Sequence, residues 1–107
     1  MENLSEDKVP DIRERVLKYA LRSIKLYQYV EKEAGDIGKI LGKQYLRAAT
    51  SIGANVEEAQ ASESRNDFIH KLSVSCKEAR ESLYWVLAYL IQSIRTDSRD
   101  KVIRNNS

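Results

Sequence analysis

A chain of 107 residues fits one domain, near the lower end of the range in which a single hydrophobic core is stable without staples. Its one cysteine, Cys76, excludes an internal disulfide, so burial must hold the fold, and the lack of paired thiols fits a reducing cytoplasm. Eighteen basic residues against sixteen acidic ones leave a net charge of +2, which excludes a uniformly basic surface and makes any nucleic-acid role depend on local clustering.

No basic-then-apolar leader opens the segment from Met1 to Asp7, so a cytoplasmic protein is expected, with residues 1–9 a flexible N-terminal segment and 10–107 a single helical-bundle domain. One proline and four glycines leave long uninterrupted segments, which favours helices. Pro10, Gly35, Gly38 and Gly42 all fall outside the strongest apolar periodicity. Pro10 suits a first helical turn, and Asp11 complements the positive helix end. Ile12, Val16, Ala20, Ile24 and Tyr27, with Leu17 and Leu21 alongside, recur at helical spacing and predict a first helix from Pro10 to Glu33. The stretch from Ala34 to Gly38 reads as the connection, Gly35 as a cap and Asp36 as a starter.

A second helix follows Ile37, Leu41, Tyr45, Ala48, Ile52, Val56 and Ala59. Its middle turns hold Ala48, Ala49, Ser51, Gly53 and Ala54, small residues that set a short distance to a neighbouring helix. Gly53 inside a helix costs up to ~1 kcal/mol relative to alanine. Either close packing offsets that cost, or the glycine sits on an exposed face. Ser64 and Asp67 have the spacing of a capping box. A third helix then carries Phe68, Leu72, Ser75, Ala79, Leu83, Val86 and Leu90, with Ile69, Cys76, Leu87 and Ile94 beside them. Continuous to Ile94, it is about 45 Å long.

The run from Leu83 to Ile91 has no charged residue on any face, unlike an ordinary surface helix. It is too short to span a membrane, which takes about 20 apolar residues. Either a fourth helix of the same chain covers its second face, or a subunit interface does. Tyr84, Trp85 and Tyr89 suit an interface, each having an apolar body with one polar handle. After Ile94 the chain turns polar, and Val102 and Ile103 support at most a short fourth helix.

Nothing in the sequence has the makings of a catalytic site, and no cofactor motif is present. A bundle-type di-iron centre takes a Glu from each of two helices and a Glu-x-x-His pair from each of the other two. This chain has one histidine, His70, with Asp67 three residues before it and Glu57 and Glu58 as neighbours, so the ligand count falls short and no metal is expected. Ser73, Ser75 and Ser82 have no evident base, and Cys76 beside Ser75 reads as a buried structural thiol. The stronger signal is basic: Arg15, Lys18, Arg22 and Lys25 are spaced by three, four and three residues and share one face of the first helix, with Arg13 and Tyr29 close by. Such a stripe follows a phosphate backbone, with tyrosines to stack on bases, or else is an ordinary solvated face.

The run Leu46-Arg-Ala-Ala-Thr-Ser-Ile-Gly-Ala-Asn-Val56, then Glu57 or Glu58, then Asp67-Phe-Ile-His-Lys-Leu-Ser73 and Lys77-Glu-Ala-Arg-Glu-Ser-Leu-Tyr-Trp85, closely resembles the bacterial four-helix-bundle family encoded in intervening sequences of 23S ribosomal RNA genes. Ala20-Leu-Arg-Ser-Ile-Lys-Leu-Tyr27 is similar to that family's first helix, so the resemblance covers about residues 10 to 94. It implies an all-α, antiparallel up-down four-helix bundle that assembles into a ring, typically a pentamer, without enzymatic activity. A related branch, the accessory variability determinants of diversity-generating retroelements, forms basic rings that bind a reverse transcriptase and nucleic acid. Here the expectation is three long helices and a short or truncated fourth, because the tail lacks a clear sequence for the family's long last helix, or the sequence is incomplete there. The functional expectation is a non-enzymatic oligomer that binds RNA or DNA through a repeated basic face. The alternative is a scaffold recruiting a polymerase or other protein partner.

Overall fold

The computed structural model describes residues 11–106; Pro10 and the N-terminal segment expected to be flexible lie outside them. Three helices follow one another: α1 Ile12–Glu33, α2 Asp36–Gln60 and α3 Arg65–Asn106. Asp11 starts α1, its carboxylate accepting the Arg13 backbone N–H at 2.8 Å. Extended Ala34 and Gly35 form the whole connection to α2, so Gly38 stands inside the helix. Ser64 starts α3 as the sequence predicts, its Oγ accepting the Asp67 N–H at 3.1 Å, while the Asp67 carboxylate pairs with Lys71 at 3.1 Å.

α2 is the central element. α1 packs on it and α3 packs on it, and among the described residues the backbones of α1 and α3 do not meet. At 42 residues α3 is about 63 Å long. Its overhang past the other two helices gives a radius of gyration of 18.6 Å, against roughly 13 Å for a compact domain of this length.

The expected short fourth helix is not a separate element: residues 95–106 continue α3. No glycine or proline follows Gly53, so nothing stops the helix, and Thr96, Asp97 and Ser98, which have N-cap chemistry, remain inside it. The four-helix arrangement is thus replaced by three helices with the third extended.

Among the described residues the buried apolar side chains are few and small: Val30, Ala48, Ala49, Val56 and Ala59. Of the small residues predicted to set a close approach, Ala48 and Ala49 are buried, Ser51 and Gly53 are half-buried and Ala54 is exposed. Among the glycines the tightest surroundings are at Gly42, against Val30 and Tyr27, and at Gly38, against Tyr89. Both are buried, although neither belongs to the apolar periodicity read from sequence. Gly53 faces Val16 at an ordinary contact distance.

Three expectations about burial are corrected. α1 turns Val16, Ser23 and Val30 toward α2, leaving Leu17, Leu21 and Ile24 exposed, because it carries apolar residues on more than one side and α2 covers only one. On α3 the buried positions are Ser75 and Ser82, while Leu83 and Leu90, expected on the inward stripe, are about half exposed. Cys76 is exposed, since the Ser75 seam turns it away from α2.

Candidate nucleic-acid interface

Arg15, Lys18, Arg22 and Lys25 are all exposed, and their spacing sets them along about 15 Å of α1. Lys18 lies 3.4 Å from Glu14, a mutually exposed pair that water and salt screen. Among the described residues Arg15, Arg22 and Lys25 have no acidic partner. Arg15, Lys18 and Arg22 line a shallow hollow of about 410 Å³ floored by Ile12, Val16 and Tyr19. Tyr29, 64% exposed, follows Lys25 by one turn and offers a ring for stacking. Arg13 does not join the face. Its guanidinium is tied to Asp11 at 3.3 Å, and that hydrogen bond raises its pKa.

A hydroxyl chain anchors this face to the bundle. Ser23, 1% exposed on α1, shares a hydrogen bond of 2.9 Å with the Tyr45 hydroxyl of α2, which donates to the Tyr19 hydroxyl at 3.2 Å. Ser23 is buried inside an apolar seam and needs such a partner. Burial pushes the Tyr45 phenol pKa up; the Ser23 hydrogen bond lowers it and Tyr19 raises it. The chain fixes the rotation of α1 on α2, and with it the direction of the stripe. Sequence reading missed this network, though a serine in line with Val16 and Val30, seven residues from each, is a usable signal for a buried hydroxyl.

The three aromatic interface candidates separate. Tyr84 is 61% exposed and stacks edge-on against Trp85 with ring centroids 5.0 Å apart. Trp85 is half-buried and donates its indole N–H to Glu81 at 3.0 Å; Glu81 also receives Arg47 of α2, which reaches Glu78 at 3.4 Å. Tyr89 is half-buried against Gly38. Only Tyr84 therefore offers a largely open ring. Trp85 and Tyr89 also border an apolar hollow of about 130 Å³ where all three helices converge around Val30, Gly42 and Tyr45.

The residues considered for chemistry are not brought together. His70 is exposed on the second turn of α3, and among the described residues no three of His, Cys, Asp and Glu cluster as a metal would need. Ser73, Ser75 and Ser82 each donate to a backbone carbonyl, Ser75 across to Ile52 of α2 at 2.8 Å. Among the described residues no helix is long and apolar enough to cross a membrane.

No curated protein of established description matches the chain. Among solved structures, it is similar to a protein of unknown function from the S23 ribosomal protein family of Bacteroides thetaiotaomicron VPI-5482. The two are 41% identical, with 78% of this chain and 74% of that one aligned at a TM-score of 0.70. The profile of the 23S rRNA-intervening sequence protein family matches residues 10–105, which takes in all of α1 and α2 and nearly all of α3. With the profile spanning the three helices and the solved relative agreeing in sequence and fold, the chain belongs to the 23S rRNA-intervening sequence protein family.

Proposed function

We propose that this protein is a non-enzymatic, self-assembling cytoplasmic helical protein that binds RNA through the basic face of α1, repeated by assembly. The observation that carries the reading is the line of Arg15, Arg22 and Lys25, without acidic partners among the described residues, with Lys18 between them, on a helix tied to α2 by the Ser23–Tyr45–Tyr19 chain. A single copy with a net charge of +2 exerts little long-range attraction, so one stripe alone is a weak site. Several stripes on one assembly act together and raise avidity without a new contact. Resemblance to the family gives a ring, typically of five copies, as the expected assembly.

The test is binding of a labelled single-stranded RNA over a range of salt. Affinity should fall steeply with added salt, and charge reversal at Lys18, Arg22 and Lys25 should abolish most of it. Binding that ignores salt and these reversals would sink the proposal.

A second reading is a scaffold that recruits a protein such as a polymerase, with DNA or RNA incidental. The exposure of Tyr84 and the apolar middle of α3 favour it. Co-purification of a partner that survives nuclease treatment and the same charge reversals would select this reading over the first.

A further inference from the structure

Along α3, Arg80, Leu83, Leu87, Leu90, Ile94 and Asp97 recur at steps of three and four residues, and every one of them is exposed. Alternating steps of three and four are the pattern of a coiled-coil seam. This seam is separate from the side that α2 covers, where Ser75 and Ser82 are buried. Its four central side chains are apolar and 48–64% exposed. A cation stands at one end and an anion at the other. Among the described residues neither Arg80 nor Asp97 has an ion-pair partner. They lie 17 positions apart, about 25 Å along one continuous helix, so they cannot meet within a chain.

The seam complements itself on reversal. A second copy running antiparallel, centred between Ala88 and Tyr89, sets Leu87 against Leu90, Leu83 against Ile94 and Arg80 against Asp97, each pair occurring twice. A parallel pair in register would instead set Arg80 against Arg80 and Asp97 against Asp97, a like-charge penalty at both ends. The same antiparallel register places exposed Cys76 opposite exposed Lys101 in the next layer.

We propose that α3 is a self-recognition helix: two copies pair antiparallel along Leu83, Leu87, Leu90 and Ile94, closed at each end by an Arg80–Asp97 ion pair between copies. The inference rests on the proposed self-assembly and names its contact. Because the contact is two-fold, copies are added in pairs, giving a dimer or an even multiple, including two rings joined face to face.

Charge exchange on the full chain tests it, read by light scattering across protein concentration with helical circular dichroism as the folding control. Arg80→Asp and Asp97→Arg should each weaken self-association roughly tenfold, and the double variant should restore it to within about twofold, since only a contact between copies can join these positions. Cysteine oxidation gives an independent readout that leaves the seam untouched. In the antiparallel pair the two Cys76 thiols lie about 38 Å apart along the helices, so the wild type should stay uncrosslinked. Lys101→Cys should yield a covalent dimer, and the same substitution with Cys76→Ser should not. A Cys76-linked wild type, an absence of charge rescue, or a lone five-membered ring indifferent to all variants overturns the seam while leaving self-assembly standing. A wild type that remains monomeric at every concentration overturns both.

Discussion

Replacing each α2 glycine by alanine should separate three packing environments that look alike in sequence. Alanine gains about 1 kcal/mol of helix propensity over glycine, so the sign of each effect depends on what the added Cβ meets. At Gly53 it meets Val16 Cγ2 at 3.4 Å, an ordinary contact, and Gly53→Ala should stabilise the protein by about 0.5–1 kcal/mol. At Gly42 it meets Val30 Cγ1 at 3.0 Å, and Val30 is itself buried. At Gly38 it falls 2.8 Å from Ala34 Cβ, an atom fixed to the backbone, and 3.1 Å from the Tyr89 ring. Overpacking costs about 1–3 kcal/mol, so after the propensity gain Gly42→Ala should lose up to about 1 kcal/mol and Gly38→Ala about 1–2 kcal/mol. Urea unfolding followed by helical circular dichroism, at one fixed protein concentration, measures all three against the wild type. The midpoints should fall in the order Gly53→Ala, wild type, Gly42→Ala, Gly38→Ala. A lowered midpoint for Gly53→Ala, or a raised one for Gly38→Ala, would refute the packing account.

For RNA, four phosphate contacts on one stripe give a log–log salt slope near −3 for a single strand, or roughly a fifty-fold loss of affinity between 50 and 200 mM salt; each neutralised cation should reduce the slope by about 0.7, and a slope well beyond −3 would count further stripes on one strand. Tyr45→Phe strands the buried Ser23 hydroxyl and should cost about 1–3 kcal/mol in thermal or urea unfolding. Because the Tyr45 pKa is raised above its ordinary value of 10.0 in the fold, its contribution is fully present below pH 10 and is lost as pH climbs through the raised value; wild type should lose stability there more steeply than Tyr45→Phe. Arg47→Ala should cost under about 1 kcal/mol despite two acidic partners, since Arg47 is 48% exposed, and a larger loss in urea unfolding would contradict that screening. The melting temperature should rise with protein concentration, whereas a constant value would mean that the monomer is the stable unit.

Element positions were legible because each rests on local chemistry. Asp11 and Ser64 start helices by accepting backbone N–H groups two and three residues on, and Gly35, of low helix propensity, marks the break between α1 and α2. The end of α3 was not legible in the same way. Thr96, Asp97 and Ser98 favour a helix start only where the chain has already turned, and with no breaker before them they stay helical. Burial on α1 was misread for a different reason: Leu17, Leu21 and Ile24 have the right period, but period fixes a face and not the element that covers it. The basic stripe was fully legible, because four exposed cations on one face need only helical spacing. What fixes its direction, Ser23 with Tyr45 and Tyr19, joins residues 22 and 26 positions apart and has no local signature.

The distribution of apolar surface connects the fold to the proposed assembly. Among the described residues three alanines and two valines form the buried apolar set, while Leu17, Leu21 and Ile24 on α1 and Leu83, Leu87, Leu90 and Ile94 on α3 stay exposed. Burial scales with apolar area, so much of the hydrophobic stabilisation open to this sequence lies outside a single copy. Covering the α3 seam recovers part of it. Leu17 and Ile24 lie about a third of a turn from the middle of the basic face, with Leu21 nearer to Lys18 and Lys25, so copies docking on the side of Leu17 and Ile24 leave most of the cations facing water. Folding and assembly would then draw on the same surfaces, and the basic face would be set by both: turned outward by Ser23 and Tyr45 within a copy, and repeated by the contacts between copies.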